Sequence, residues 1–221
     1  MEIAILLYDN FTALDCIGPY EVLSRLPGAR VRFVSADGKP VTSDTRMLTI
    51  QTEGSIADVS KPDIVLVPGG PGDEGAAADQ RVLAWLQRVH ETTKWTTSVC
   101  TGSIVLGAAG LLKGLEATTH WSRYDRLAEL GAKPVQKRFV RQGKIITAAG
   151  VSAGIDMALA LVQIEQGDMY AQGLQLAIEY DPDPPFDCGS PSKAPAHVLE
   201  MIKAIMADTS QRQMPEAQAS V

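Results

Sequence analysis

The most chemically informative segment is V-C-T-G-S at residues 99–103, which joins a strand-like run, KWTTSV at 94–99, to a stretch of small residues. The pattern predicts a buried strand, a tight turn at Cys100 and then a helix. That is the layout of a nucleophile elbow, with cysteine as the nucleophile. Free backbone N–H groups and the helix dipole should lower the pKa of the thiol. The alternative is a buried, inert cysteine, because free cysteine is among the most buried residue types.

Two other segments could bring chemistry to the same place. Gly69 and Gly70 follow a second strand-like run, and ligands of open α/β sheets bind beyond the carboxyl ends of the strands. Such a glycine pair can present a bare N–H to a ligand, but it also occurs in ordinary turns. Asp15 lies in an apolar stretch. It could cap a helix that begins near Pro19, or it could serve as an acid/base of raised pKa beside the thiol.

His120 ends a short strand-like run, ATTHW at residues 117–121. A histidine beside Cys100 would activate a thiolate, but His120 could equally be a hydrogen-bonded structural residue. The other two cysteines, Cys16 and Cys188, receive no role from their positions. Three widely spaced cysteines without paired motifs argue against a disulfide framework and a zinc site, so we expect no metal and a reducing cytoplasm.

The elements that must position these residues alternate along the chain. Short apolar runs predict buried parallel strands, helical patterns fall between them, and two short strands stand apart at 41–55. A hairpin is expected to turn at Gln142-Gly143, and an irregular loop at 181–195 precedes a last helix at 195–208. The predicted fold is an α/β sandwich with a mostly parallel central sheet flanked by helices.

Composition limits the classes of protein that remain. The 221 residues are 45% hydrophobic and 21% charged with a net charge of -6, which suits one folded domain over residues 1–208 and a flexible tail over 209–221. Neither a basic cluster nor a membrane-length apolar run is present, so we expect no nucleic acid and no membrane as partners.

The quoted segments together resemble the ThiJ/PfpI superfamily, which is related to class I glutamine amidotransferase domains. The resemblance rests on LDCIGPYEVL at 14–23, VPGGPG at 67–72, SVCTGSIVLGAAGLL at 98–112 and ATTHW, and it extends over about residues 3–205. Asp15 with Cys100-Thr101 and the PPF-x-x-G-S-P stretch are most similar to isocyanide hydratases within that superfamily. AraC-type regulators share the elbow motif but continue into a helix-turn-helix domain.

This resemblance implies a flavodoxin-like homodimer that needs no cofactor and hydrates a small-molecule isocyanide to a formamide. By position, Cys100 resembles the nucleophile and Asp15 the general acid/base. The backbone amides of Gly70 and Thr101 resemble the anion-stabilising donors, and the Thr101 hydroxyl could also touch the substrate. Two alternatives stay open, a glyoxalase-type hydratase of 2-oxoaldehydes and a non-enzymatic redox sensor that is oxidised at Cys100.

Overall fold

The computed structural model describes the backbone of residues 1–213 and the side chains of residues 1–207. The chain divides into two compact units, Met1–Tyr180 and Asp181–Val221. The strands, all in the first unit, are β1 (Glu2–Leu6), β2 (Arg30–Val34), β3 (Val41–Thr42), β4 (Thr49–Ile50), β5 (Ile64–Val67), β6 (Trp95–Val99), β7 (Glu116–Ala117), β8 (Lys133–Pro134), β9 (Phe139–Gln142) and β10 (Ile145–Ala148). The α-helices are α1 (Ala13–Leu23), α2 (Asp73–Ala78), α3 (Gln80–Thr92), α4 (Gly102–Ala108), α5 (Tyr124–Glu129), α6 (Ala153–Gln166), α7 (Asp168–Ala177) and α8 (Ala196–Gln213).

Six strands form the central sheet in the order β2-β1-β5-β6-β10-β9. Every neighbouring pair is parallel except β9 and β10, so the prediction of a mostly parallel sheet flanked by helices is confirmed. The inner strands β1, β5 and β6 are buried almost throughout because helices cover both faces of the sheet, and β5 is continuous in valine, isoleucine and leucine. In this doubly wound order, the carboxyl ends of β1, β5, β6 and β10 lie along one edge of the sheet, where such folds bind ligands.

Two apolar cores hold the helices against the sheet. Ile3 and Ile5 of β1 face the core shared with α1 and α6, whereas Ala4 and Leu6 face the core shared with α3 and α4, as the two-residue period of a strand requires. Helices α1 and α6 pack very closely, because a Cβ on Gly154 would lie only 2.9 Å from the Pro19 ring and from the Val99 side chain. This contact fixes the first turn of α6 and the second turn of α1 beside the end of β6.

Two boundaries in the first unit differ from the sequence-based expectations. Helix α1 begins at Ala13, not near Pro19, which lies inside the helix. Asp15 therefore sits in the first turn and does not cap a helix that starts at Pro19. The hairpin turns at residues 143–144 because Gln142 still pairs with Ile145, and Gly143 takes the positive φ of +60° that a tight turn requires.

The second unit contains the predicted irregular segment, followed by α8. That helix continues to Gln213, five residues beyond its expected end at Asp208, and the rest of the predicted tail, 214–221, lies outside the described residues. Within the described part of the chain, no helix is both long and apolar enough to cross a bilayer.

Candidate active site

The backbone forms a strained elbow at Cys100, between β6 and α4. Cys100 has a φ of +55°, a left-handed conformation that is uncommon for a residue with a side chain. Its N–H is held by the carbonyl oxygens of Ala148 and Ala149 at 3.1 and 2.9 Å, and its own carbonyl accepts hydrogen bonds from two side-chain hydroxyls. The predicted strand–turn–helix elbow is thus present, with Cys100 at its apex.

Glycine is required directly after this elbow. A Cβ on Gly102 would lie 2.0 Å from the carbonyl oxygen of Val67, inside the contact distance of any carbon and oxygen. The start of α4 can therefore approach β5 only without a side chain at this position. This close approach accounts for the small residue in the V-C-T-G-S motif.

Cys100 is buried, with only 5% of the residue exposed. Burial raises its pKa well above the ordinary value, and the negative charge of Asp15 raises it further, whereas hydrogen bonds from the N–H groups of Val151 and Thr101 lower it. The expectation of a lowered pKa was wrong because desolvation and a neighbouring carboxylate outweigh the amide donors. Burial and the Asp15 charge therefore favour the neutral thiol over the thiolate.

Val151 is a site residue that the sequence reasoning missed. It follows β10, and its N–H points at the Cys100 sulfur. Its φ of +30° is rare for a β-branched residue and marks strained backbone. A valine gives no sequence signal for such a conformation, so only the fold reveals it.

Asp15 is completely buried opposite the thiol. Its Oδ2 accepts a hydrogen bond from the N–H of Gly69 at 2.9 Å. Its Oδ1 has no hydrogen-bond partner among the described residues. The carboxyl and the Cys100 thiol are close enough to shift each other's pKa. Burial raises the pKa of Asp15 from 3.8 to about 7. The Gly69 N–H and the Cys100 thiol act in the opposite direction and lower this pKa, whereas the charge of Asp44 raises it further.

The Gly69-Gly70 turn after β5 lies between Asp15 and Thr101. A Cβ on Gly69 would come within 2.4 Å of the Thr101 nitrogen and 2.9 Å of Asp15 Oδ2. The N–H of Gly70 donates to Thr101 Oγ1 at 3.0 Å, and the Thr101 hydroxyl can donate back to the Gly70 carbonyl at 3.2 Å. The Gly70 amide therefore already has an acceptor inside the protein, while the Thr101 amide points at the sulfur.

Tyr8 supports the same turn and was also missed. Its hydroxyl donates to the carbonyl oxygen of Pro68 at 2.5 Å. Burial raises the pKa of Tyr8 well above its ordinary value, and the charges of Asp73, Asp15 and Cys100 raise it further. The phenol therefore stays neutral and holds the residue that precedes the glycine pair.

His120 lies beside the site, and its ring contacts Ser122 and Gly150. Its Nδ1 lies 2.8 Å from Ser122 Oγ and also accepts from the Ser122 N–H, so the ring caps a single helical turn at 121–123. The ring packs so closely on Gly150 that a Cβ there would lie 2.8 Å from it. Burial lowers the pKa of His120, which favours the neutral ring. These contacts suit the structural alternative.

The remaining cysteines lie apart from this chemistry. Cys16 is buried, donates its thiol to the Ala13 carbonyl at 3.2 Å, and has a pKa raised to about 12 by burial and by Asp15. Cys188 is exposed in the second unit. Within the described residues, histidine, cysteine, aspartate and glutamate form no group of three or more that could hold a metal ion.

The fold and site together define a doubly wound α/β protein with a cysteine elbow facing a buried carboxyl group. The family model for the DJ-1/PfpI family matches residues 1–164. The chain therefore belongs to the DJ-1/PfpI family, in agreement with the resemblance read from its motifs.

Three known proteins are similar to most of this chain. The chain is 45% identical over 200 residues to the isonitrile hydratase of Pseudomonas putida, covering 90% of this chain and 87% of that protein. A ThiJ/PfpI family crystal structure from Pseudomonas syringae superimposes with a TM-score of 0.90 at 42% identity, covering 95% of this chain and 87% of that one. An HTH-type transcriptional regulator of Pseudomonas aeruginosa is 30% identical over 79% of this chain but is matched over only 52% of its own length.

Proposed function

We propose that this protein is an isocyanide hydratase, a lyase that adds water to R–N≡C and releases an N-substituted formamide. The observation that carries the proposal is the buried Cys100 thiol at a strained elbow beside the buried Asp15 carboxyl, whose Oδ1 has no hydrogen-bond partner among the described residues and whose pKa is raised to about 7. A nucleophile and a proton carrier of near-neutral pKa are the two groups that this hydration needs. The similarity to the Pseudomonas putida enzyme supports the substrate class.

The first half-reaction joins the substrate to the sulfur. The Asp15 carboxylate takes the thiol proton as Cys100 attacks the terminal carbon of the isocyanide. The C–S bond forms, charge accumulates on that carbon, and Asp15 returns the proton to it. The product is a thioimidate, Cys100–S–CH=N–R, and Asp15 is again ionised. Since the thiol proton crosses only to the neighbouring Asp15 carboxylate, the raised pKa of Cys100 does not prevent the attack.

The second half-reaction releases the product. Asp15 takes a proton from a water molecule as the water oxygen adds to the thioimidate carbon, and the substrate nitrogen gains that proton. Asp15 then removes the hydroxyl proton while the C–S bond breaks, and the proton returns to the sulfur. One isocyanide and one water give one formamide, with the enzyme unchanged. A single carboxyl group that acts as both acid and base needs a pKa near the working pH, which is the value at Asp15.

The amides around the sulfur would hold negative charge while it develops. The N–H groups of Thr101 and Val151 already point at Sγ and stabilise the departing thiolate. Gly70 could act as a further donor only after exchanging its bond with the Thr101 hydroxyl. The Thr101 hydroxyl is placed to contact substrate during that exchange. His120 has no step in this scheme.

The test is turnover of a panel of alkyl and aryl isocyanides, with the formamide measured by chromatography. We expect product from the wild-type protein and none from Cys100→Ala. Cys188→Ala is the matched control, because it removes an exposed cysteine and should leave turnover unchanged. Methylglyoxal, assayed for lactate, tests the glyoxalase alternative. Near-normal turnover by Cys100→Ala, or lactate formation without formamide formation, would contradict the proposal.

We further propose that the enzyme works as a homodimer in the cytoplasm, where its three cysteines stay reduced. Light scattering coupled to size-exclusion chromatography should give twice the 23.6 kDa chain mass. A single-chain mass at assay concentration would reject the dimer.

A further inference from the structure

Thr119 is a buried polar residue that the proposed reaction does not use. It lies two residues after β7 and is completely buried. Its hydroxyl donates to the carbonyl oxygen of Cys100 at 3.1 Å. A buried hydroxyl costs free energy unless it is hydrogen-bonded, and this contact satisfies it at the cysteine elbow.

The Cys100 carbonyl also accepts the hydroxyl of Ser103 at 3.2 Å. Ser103 is the second residue of α4, so it belongs to the elbow and moves with it. Thr119 lies on a different segment, 19 residues further along the chain than Cys100. Thr119 is therefore the hydroxyl that ties the elbow to the rest of the fold.

The segment that carries Thr119 is itself anchored to β10. The N–H of Thr118 donates to Thr147 Oγ1 at 2.9 Å, and both residues are buried. The carbonyls that accept the Cys100 N–H come from the end of the same strand and the residue after it. The end of β10 thus holds the Cys100 N–H directly and the Cys100 carbonyl through Thr119. A cysteine with a φ of +55° persists only where its surroundings fix it in this way.

The orientation of the Cys100 carbonyl also sets that of the next amide. The carbonyl and the Thr101 N–H belong to one planar trans peptide, so they point in opposite directions. The nitrogen of this peptide packs against the glycine turn, because a Cβ on Gly69 would lie 2.4 Å from it. Holding the oxygen therefore keeps the Thr101 N–H beside the Cys100 sulfur, where it lowers the pKa of the thiol.

We propose that Thr119 is a positioning residue, whose hydroxyl holds the Cys100 carbonyl and so keeps the Thr101 N–H aimed at the sulfur. The consequence for catalysis rests on the proposed function, because the sulfur carries negative charge as the C–S bond forms and breaks. Thr119 touches none of the reacting atoms and acts only through the elbow peptide.

Removal of the hydroxyl without a change of shape tests this role. Thr119→Val should lower kcat/KM about tenfold through kcat, the effect of misaligning one hydrogen bond to a charged group. Thr119→Ser keeps the hydroxyl and should stay within about twofold of the wild type. Thr118→Val is the matched control, because this neighbouring buried threonine donates its hydroxyl to the Lys137 carbonyl instead, and it should leave kcat/KM unchanged.

A second measurement needs no isocyanide. Alkylation of Cys100 by iodoacetamide at pH 8, followed by peptide mass spectrometry, reports how much of the sulfur is thiolate. The rate should fall about tenfold in Thr119→Val and in Thr119→Ala, and it should stay at the wild-type value in Thr119→Ser and Thr118→Val. The two variants without a hydroxyl differ in bulk, so a loss in both assigns the effect to the hydroxyl.

An unchanged or faster alkylation rate in Thr119→Val would overturn the proposal. A loss of equal size in Thr119→Ser or in Thr118→Val would also overturn it. If the wild type hydrates no isocyanide but alkylation slows in Thr119→Val and not in Thr119→Ser, the positioning role stands and the proposed activity fails.

Discussion

Asp15→Asn should make the protein more stable and inactive, and the gain in stability should depend on pH. The native pKa of Asp15 is raised from 3.8 to about 7, a shift of about three units, which corresponds to about 4 kcal/mol of instability once the group is ionised in both states. Asparagine has the same shape, can still accept the Gly69 N–H, and carries no charge. The variant therefore avoids this penalty.

The direction of this pH dependence follows from which state, folded or unfolded, loses the Asp15 proton first. Below pH 3.8 both states are protonated, and Asp15 does not affect the free energy of unfolding. Between 3.8 and about 7 the unfolded chain releases the proton first, so wild-type stability falls as pH rises. The penalty is about 1.5 kcal/mol at pH 5 and reaches its full value above pH 7, so the advantage of the variant should widen by about 2–3 kcal/mol from pH 5 to pH 8.

Urea unfolding of both proteins at pH 5 and pH 8 measures this widening, and any pH-independent effect of asparagine cancels in the difference. Glu21→Gln is the control on the same helix, because Glu21 is half-exposed and should show no such widening. The same variant of Asp15 should lose about 100- to 10,000-fold in kcat, the usual contribution of a general acid/base. A stability gap that is equal at the two pH values would refute a raised pKa at Asp15.

Three other perturbations test neighbouring parts of the site. Asp44→Asn should move the acid limb of the kcat/KM profile below its expected midpoint near pH 7, because the Asp44 charge raises the pKa of Asp15. Gly69→Ala should lower kcat/KM about a hundredfold, since its Cβ would press on the Thr101 nitrogen and on Asp15. His120→Gln should change kcat less than about tenfold, because the ring has no proton-transfer role.

Each of these has a distinct contrary result. An acid limb that stays in place or moves to higher pH in Asp44→Asn would show that Asp15 does not control it. Gly75→Ala is the control for Gly69→Ala, because a Cβ there meets nothing within 4 Å and should add about 0.5–1 kcal/mol of helix stability. If Gly69→Ala and Gly75→Ala had the same kcat/KM, the close contact at Gly69 would be ruled out. A loss of kcat above 100-fold in His120→Gln would show that His120 takes part in the reaction.

The central strands could be predicted from the sequence because burial on both faces leaves a plain signal. Ile64–Val67 and Trp95–Val99 lie within the strand-like runs that precede Gly69 and Cys100, and the elbow after the second run follows from its small residues. The start of α1 could not be predicted, because Pro19 imitates a first-turn signal. In the structure the proline lies inside the helix, and its ring packs closely against Gly154.

The direction of the Cys100 pKa shift could not be predicted from the sequence, for a different reason. A helix N-terminus predicts a lowered thiol pKa, but the opposite direction results when burial and Asp15 are both present. How deeply Cys100 is buried depends on the packing of β6 against several other elements, which no local pattern encodes. The strained conformation of Val151 is likewise imposed by tertiary structure.

Covalent bonding of substrate carbon to the Cys100 sulfur is the central claim, and rapid-quench mass spectrometry of the enzyme during turnover measures it directly. The account predicts a mass increase equal to one isocyanide, on the peptide that contains Cys100, which disappears when substrate is exhausted. Turnover with no such adduct, or with the adduct on Cys16 or Cys188, would contradict it.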